Sequence, residues 1–216
     1  GNRSSSGVSG SADIFEYFGY DVNQDSENIA RILEEFNICC MFAQKFHPAM
    51  KNVAAARMQI GKRTAFNLLG PLSNPAGVKN QLIGVFSNDF LERLPLILKR
   101  KGSENIMTVR SDDGMDEFST SSKNKICLLR DGKILTNVID PEILGLKKSS
   151  LKDIQIKTKE DAIKSFVSVL DCTANQAMME TTLLNSAAGL IVANVAKDFD
   201  EGIEIAKNSL ESGKTL

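Results

Sequence analysis

The chain has 216 residues, of which 42% are hydrophobic and 25% are charged; this is typical of a soluble globular domain and excludes a disordered or fibrous chain. Its 26 basic and 27 acidic residues give a net charge of −1, so no overall positive field attracts nucleic acid or an anionic membrane. The longest apolar run, 187–195, is interrupted by Gly189 and Asn194 and is too short to cross a bilayer.

The cysteine and histidine residues limit which disulfides and metal sites the chain could form. The cysteines at 39, 40, 127 and 172 form neither a disulfide framework nor a CxxC metal motif, which predicts a reducing, cytoplasmic location. The single histidine, His47, excludes a multi-histidine metal site. Because the chain opens with Gly1 and its first methionine is Met41, we expect it to be part of a longer protein.

Hydrophobic periodicity and capping residues predict the elements of the first third of the chain. In chain order they are a helix from Ala12 to Phe18, a helix from Ser26 to about Glu35, a strand over 38–43, a helix from His47 to Met58 and a loop over 68–75. The strand is predicted because its residues are all apolar, as in strands buried on both faces. The loop is predicted because it contains two prolines.

The remaining elements alternate between strands and helices. They are strands over 82–86 and 106–109, a helix over 89–99, a loop over 112–122, hairpin strands over 126–129 and 134–135, a connection over 141–151, and helices over 158–170, 175–198 and 201–210. Asp131-Gly132 predicts the hairpin turn, and Thr158 with Asp161 predicts a capping box. The order indicates one α/β domain over 1–216, with a largely parallel sheet flanked by helices and one antiparallel hairpin.

A Gly/Ser-rich segment, residues 1–11, leads directly into the first predicted helix. Its backbone amides, its hydroxyl groups and the guanidinium of Arg3, beside the positive end of a helix, suit a phosphate group. The same composition is typical of a flexible loop or an expression tail, and composition alone leaves both interpretations open.

Asp116 and Glu117 follow the end of a predicted strand, where ligands bind in folds of this class. Adjacent carboxylates can hold Mg²⁺, which takes one or two carboxylates together with phosphate and water. The alternative is a solvated acidic turn, which the spacing alone favours.

A third candidate set lies on and after the helix predicted over 47–58. Arg57 follows three alanines, so a planar acid could reach its guanidinium and pair with it bidentately; His47 lies ten residues earlier, on roughly the same face. The loop containing Gly70 and Pro71 could form a pocket floor. A surface ion pair, a core histidine and an ordinary turn are the respective alternatives.

Read as continuous sequence segments, these residues identify a protein family more specifically than their individual chemistry does. The segments that carry the likeness are GNRSSSGVSGSADIFEYFG, FHPAMKNVAAARMQIGKRTAFNLLGPLSNPAG, DGMDEFS, LLNSAAGL and DEGIEIAKNSLESGKTL. They resemble the anthranilate phosphoribosyltransferase family of tryptophan biosynthesis, in several blocks from the first residue to the last.

The resemblance implies a nucleoside-phosphorylase-like, phosphoribosyltransferase-like large α/β domain, in a protein that is usually a homodimer. It also implies the reaction, a glycosyl transfer in which the amine of anthranilate displaces pyrophosphate from 5-phosphoribosyl 1-pyrophosphate (PRPP) with Mg²⁺ as cofactor. No residue is expected to act as a general base, because an aromatic amine attacks with its own lone pair.

The resemblance further assigns roles to single residues. The positions that match the PRPP site are Gly1, Asn2, Arg3, Ser4, Ser5, Ser6, Gly7 and Ser11. Asn2 and Arg57 match anthranilate-contacting positions, and His47, Gly70 and Pro71 match the walls of that pocket. Asp116 and Glu117 match the Mg²⁺ carboxylates.

Three features of the family are missing from the 216 residues: the small N-terminal helical domain, a glycine-rich pyrophosphate loop and a Lys-His pair before Gly-Asn. We therefore expect the segment alone to be weakly active or inactive, and the homodimer to form through the missing helical domain. The alternatives are a pyrimidine nucleoside phosphorylase-like enzyme, and a non-catalytic nucleic-acid-binding relative that would use the basic cluster 99–101. Membrane and nucleic-acid partners are not expected.

Overall fold

The computed structural model describes Arg3, residues 8–60 and residues 66–215. The chain divides into two compact units, Gly1–Gly70 with Ile156–Lys164 and Pro71–Gln155 with Ser165–Leu216. The expectation of a single domain over 1–216 stays a prediction. Within the part of the chain that is described, no helix is both long and apolar enough to cross a membrane.

The first unit is built from short helices around a small apolar cluster. Its helices are α1 (Ser11–Tyr17), α2 (Ser26–Phe36), α3 (Ala43–Phe46) and α4 (Lys51–Ile60), with a 3₁₀ turn at Pro48–Met50 before α4. Ala12, Val22 and Phe42 are buried together, and Tyr20 packs against them. Asp25 begins α2 by accepting a hydrogen bond from the backbone N–H of Asn28 at 2.8 Å.

The strand predicted over 38–43 is wrong. Residues 38–42 form no regular element and lead into α3. The Tyr20 hydroxyl donates to the carbonyl of Cys40 at 3.2 Å and accepts from its backbone N–H at 3.3 Å. A side chain thus satisfies the backbone groups that a neighbouring strand would otherwise pair, and Ile38 is 61% exposed rather than buried.

The loop predicted over 68–75 is wrong in its first half, because α5 (Phe66–Leu72) includes Gly70 and Pro71. Pro71 stands in the last turn, where its missing N–H removes one i→i−4 hydrogen bond from this short helix. The final carbonyls, which lack helical partners, accept from side chains: Gln81 Nε2 donates to Pro71 at 3.2 Å, and Lys101 Nζ donates to Leu72.

The second unit contains a four-stranded sheet with the order β1-β2-β3-β4. The strands are β1 (Asn80–Gly84), β2 (Asn105–Ser111), β3 (Asn124–Arg130) and β4 (Lys133–Ile139). The helices are α6 (Asp89–Arg100), α7 (Lys159–Leu170), α8 (Gln176–Val192) and α9 (Phe199–Glu211). The first residues of α7 belong to the first unit and the rest of α7 belongs to the second. Asp131 and Gly132 both have positive φ, 51° and 68°, as a type I′ hairpin turn requires.

The α/β class and the antiparallel hairpin are therefore confirmed. Among the described strands, however, the sheet is mixed rather than largely parallel: β1 pairs with β2 in parallel, whereas β2–β3 and β3–β4 are antiparallel. The loop after β2 returns the chain directly into β3, so that β3 runs antiparallel to β2. In addition, residues 38–43, which were expected to supply a further parallel strand, form none.

The sheet is covered on both faces, which explains why β2 is almost wholly buried. Met107 and Val109 join one apolar cluster with α8 and α9. The alternate residue Thr108 turns to α6, where its hydroxyl donates to the carbonyl of Leu91 at 2.6 Å. The capping box predicted at α7 is also confirmed, since Thr158 and Asp161 exchange side-chain and backbone hydrogen bonds.

Close packing of α9 on α8 depends on Gly202. A Cβ at Gly202 would lie 2.8 Å from Cβ and 2.9 Å from Cα of Ala187, whereas a Cβ at Gly189 would meet nothing within 4 Å. We predict that Gly202→Ala lowers the free energy of unfolding by about 1–3 kcal/mol, because overpacking displaces a helix. Gly189→Ala, the matched control, should raise the free energy of unfolding by up to about 1 kcal/mol, because alanine has a higher helix propensity than glycine. Urea unfolding of both variants measures this, and equal effects would contradict the packing described.

Candidate functional site

The predicted carboxylate pair lies in the segment 112–123, hereafter the acidic loop, which connects β2 to β3. Because β1 and β2 are parallel, their carboxyl ends meet at the same edge of the sheet, and the acidic loop begins there. Asp116 and Glu117 are exposed, but Phe118, Ser119 and Thr120, which follow immediately, are at most 1% exposed. The pair is therefore held at the edge of a buried segment.

Hydroxyl and carboxylate groups hold the first half of the acidic loop. Asp113 accepts from the backbone N–H of Met115 at 3.0 Å and from the hydroxyl of Ser121. The backbone N–H of Asp113 donates to Ser122 Oγ at 3.1 Å, and that oxygen lies 2.7 Å from Ser111 Oγ. These contacts connect both ends of the loop to the end of β2.

The fully buried side chain of Asn124 closes the second half. Its Oδ1 accepts from the backbone N–H of Ser119 at 2.8 Å, and its Nδ2 donates to the carbonyls of Ser119 at 3.0 Å and Ser122 at 3.2 Å. The backbone polar groups of a buried turn are thereby satisfied. The network orders the loop, and the functional interpretation of the pair stays a prediction.

Gly84, which ends β1, is a site residue that sequence reasoning missed. A Cβ built there would lie 1.7 Å from the carbonyl oxygen of Asp116, so only glycine lets the acidic loop lie against the strand. The available signal was a glycine directly after the apolar residues Leu82 and Ile83, since glycine in a strand often marks the close approach of another backbone.

The two kinds of carboxylate in the loop differ in their electrostatics. Although the Glu117 side chain is exposed, partial desolvation by the surrounding segment raises the pKa of Glu117, and the adjacent charge of Asp116 raises this pKa further. For Asp113, burial alone would raise the pKa, but hydrogen bonds from Ser119, Ser121 and the backbone of Met115 together outweigh it and lower the pKa. Hydrogen bonds therefore stabilise the charged form of Asp113, whereas the surroundings of Glu117 disfavour its charged form.

The two adjacent carboxylates are the feature of the loop that could take a divalent cation. Among the described residues no group of three or more His, Cys, Asp or Glu side chains could hold a metal, so the chain offers a pair of carboxylates rather than a cage. Two hard oxygen donors fit Mg²⁺ that reaches the site together with phosphate and water, and they do not fit a structural zinc ion.

The N-terminal candidates are only partly described. Gly1, Asn2, Ser4, Ser5, Ser6 and Gly7 lie outside the described residues. Arg3 pairs bidentately with Glu16, at 2.6 Å from Nη2 to Oε1 and 3.0 Å from Nε to Oε2, and its guanidinium lies 5.2 Å from the ring centroid of Phe42. This pairing, led by the hydrogen bond, raises the pKa of Arg3 and lowers that of Glu16. The phosphate role of Arg3 stays a prediction.

The structure gives the backbone position of the other candidates. Ser11 is the first residue of α1, and His47, which is half-buried, is the C-cap residue that follows α3. Arg57 lies on α4, with its side chain outside the described part. Gly70 and Pro71 lie in α5. The structure brings Asp116 and Glu117 together; that the remaining candidates join them in one site stays a prediction.

The basic cluster 99–101, on which the nucleic-acid alternative depends, is engaged within its own unit. Lys99 Nζ donates to the carbonyl of Gly132 at 2.6 Å, and Lys101 Nζ donates to that of Leu72. Two of its three cations therefore already donate to main-chain carbonyls, and the nucleic-acid alternative stays a prediction.

Comparison with known proteins gives the family to which this α/β chain belongs. The family model described as "Glycosyl transferase family, a/b domain" matches residues 1–216. The chain belongs to this glycosyl transferase family.

The similar relatives within the family carry one name. The chain is 73% identical over its whole length to an anthranilate phosphoribosyltransferase of Nitrosopumilus maritimus, covering 62% of that protein. The crystal structure of the Thermus thermophilus anthranilate phosphoribosyltransferase is 32% identical, with a TM-score of 0.91 over all of this chain and 64% of that one. The Saccharomyces cerevisiae enzyme in complex with PRPP and Mg is 25% identical, with a TM-score of 0.82 over all of this chain and 61% of that one. The chain thus spans less than two thirds of the length of these relatives.

The raised pKa of Glu117 predicts a gain in stability when its charge is removed. In the unfolded chain the pKa is ordinary, so above the folded pKa the native state alone bears the cost of the charge. We expect Glu117→Gln to raise the melting temperature at pH 7, and we expect the difference to vanish as the pH falls through the folded and then the ordinary pKa. Thermal melts from pH 7 to pH 3 measure this, and a variant less stable than the parent at pH 7 would contradict it.

Proposed function

We propose that the protein containing these 216 residues transfers the phosphoribosyl group of PRPP to the amine of anthranilate and releases pyrophosphate. The observation that carries the proposal is the Asp116–Glu117 pair, presented by a buried, hydrogen-bonded loop at the carboxyl edge of the sheet. The proposal draws its substrates from the relatives, which are anthranilate phosphoribosyltransferases, and from the yeast relative in complex with PRPP and Mg.

The barrier in such a transfer is cleavage of the bond between C1 of the ribose and the pyrophosphate oxygen. Asp116 and Glu117 would hold Mg²⁺, which supplies positive charge for the leaving pyrophosphate. In the proposal, the Gly/Ser-rich segment 1–11 with Arg3 and the hydroxyls of Ser4, Ser5 and Ser6 binds the phosphoribosyl moiety. Hydrogen-bond donors around the reacting groups stabilise the charge that develops as this bond breaks.

The acceptor needs orientation rather than activation. The amine of anthranilate attacks C1 with its own lone pair, so no side chain must remove a proton first. Arg57 is proposed to pair with the anthranilate carboxylate, and Asn2, His47, Gly70 and Pro71 to line the pocket. Holding the amine in line with C1 lowers the entropic part of the barrier. A cytoplasmic homodimer belongs to the same proposal.

The direct test uses a chimera in which this chain replaces the segment that it matches in the Nitrosopumilus maritimus relative. We expect the chimera to consume anthranilate, followed by its fluorescence, when PRPP and Mg²⁺ are present, and we expect the chain alone to show little or no transfer. A chimera that folds but has no activity, while the unmodified relative is active, would contradict the proposed function.

Within the chimera, Asp116→Asn combined with Glu117→Gln should lower kcat by at least about a hundredfold, because stabilisation of the leaving group is lost. Glu34→Gln with Glu35→Gln is the matched control, since it neutralises an adjacent exposed pair on α2. If both double variants behave alike, Asp116 and Glu117 are only a surface turn.

A separate prediction concerns the acceptor. In the chimera, Arg57→Ala should raise the KM for anthranilate by about tenfold to a hundredfold, the effect of losing a charge-assisted pair of about 1.5–3 kcal/mol. The KM for PRPP should change little, because the acceptor carboxylate is the proposed partner. An unchanged KM for anthranilate would remove Arg57 from the acceptor site.

A further inference from the structure

Asn185, in the middle of α8, holds the main chain at the residue after the carboxylate pair. Its Oδ1 accepts from the backbone N–H of Phe118 at 3.0 Å, and its Nδ2 donates to the carbonyl of Phe118 at 2.8 Å. One side-chain amide thereby pairs with both polar groups of a single residue, as a neighbouring strand would. The N–H of Phe118 belongs to the peptide that it shares with Glu117, so the orientation of that peptide is fixed.

The Asn185 amide is itself held in one orientation. The second hydrogen of its Nδ2 goes to the carbonyl of Thr181, one turn earlier on α8, at 2.8 Å. Both donors of the amide and its oxygen are then occupied, which leaves no alternative rotamer with equal bonding. The contact between α8 and the loop is consequently a rigid one.

Two further contacts confine the same short stretch of chain. The ring of Phe118 is fully buried and packs edge-to-face on Phe199, with centroids 5.4 Å apart. Within the pair, the carbonyl of Asp116, which belongs to the peptide joining Asp116 to Glu117, lies against Gly84, where a Cβ would come within 1.7 Å of it. The Asp116–Glu117 and Glu117–Phe118 peptides are thus both confined, while both carboxylates are exposed.

We propose that Asn185 is a positioning residue that sets the cation affinity of the Asp116–Glu117 pair by fixing the Glu117–Phe118 peptide, while Gly84 confines the Asp116–Glu117 peptide. This inference rests on the proposed function, because it requires that the pair bind a divalent cation. Two like charges side by side repel each other, so a loop released from α8 would let the carboxylates move apart. Groups that orient ligands from outside a metal site typically change metal affinity by about tenfold to a hundredfold when removed.

The test measures Mn²⁺ binding to the chain, and to the chimera, from the electron paramagnetic resonance signal of free Mn²⁺. Asn185→Leu, which has similar volume but no hydrogen bonds, should raise the Mn²⁺ dissociation constant by about tenfold to a hundredfold. Asn185→Gln, which keeps the amide, should recover part of that loss. Gly84→Ala acts from the other side and should weaken binding without altering α8.

Leu183→Ala is the matched control, because Leu183 lies on the same helix but packs with Ala206 and Leu210 away from the loop. It should lower the melting temperature and leave the Mn²⁺ constant unchanged. In the chimera, the apparent Mg²⁺ constant for transfer should rise with Asn185→Leu, while the KM for anthranilate stays near that of the parent.

The outcomes separate the two proposals. Equal Mn²⁺ affinity in the parent, Asn185→Leu and Gly84→Ala would overturn the positioning role and leave the proposed function standing. Loss of affinity in Leu183→Ala as large as in Asn185→Leu would also overturn it, since general destabilisation would then explain both. If the parent binds no Mn²⁺, the positioning role fails together with the metal part of the proposed function, whereas an active chimera would still support the transfer.

Discussion

The arrangement of the candidate site depends on burial of the chain immediately after two exposed carboxylates. Phe118 and Ser119 are fully buried, and a buried backbone must have every polar group paired. Asn124 pairs with Ser119 on one side and Asn185 pairs with Phe118 on the other. Two asparagine side chains therefore take the place of the neighbouring strands that a loop does not have.

The path of the loop between β2 and β3 determines where its charged side chains lie. The loop leaves β2 at the edge where parallel β1 also ends, and Gly84 lets it lie against that end. The chain then enters β3 antiparallel to β2. Asp113 is stabilised within the loop by hydrogen bonds, whereas Glu117 is left with a raised pKa. The two carboxylates therefore differ in how strongly their surroundings favour the charged form.

Short sequence motifs correctly predicted the features whose geometry depends only on neighbouring residues. Asp131-Gly132 predicted the hairpin and Thr158 with Asp161 the start of α7, because turn and cap geometry depend on neighbouring residues. Residues 38–43 were misassigned because apolar content does not reveal that Tyr20 satisfies the backbone of Cys40.

The Asp116–Glu117 pair was predictable as a motif, but what holds it was not. Gly84 lies 32 residues before Asp116 in the sequence, and Asn185 lies 67 residues after Phe118.

The central claim, that the acidic loop is ordered before any cation binds, is tested most directly by amide hydrogen exchange in cation-free protein. The account predicts that the amides of Phe118 and Ser119 exchange as slowly as those of β2 and β3, through the same opening event. Exchange at the near-unprotected rate of an exposed turn would contradict it.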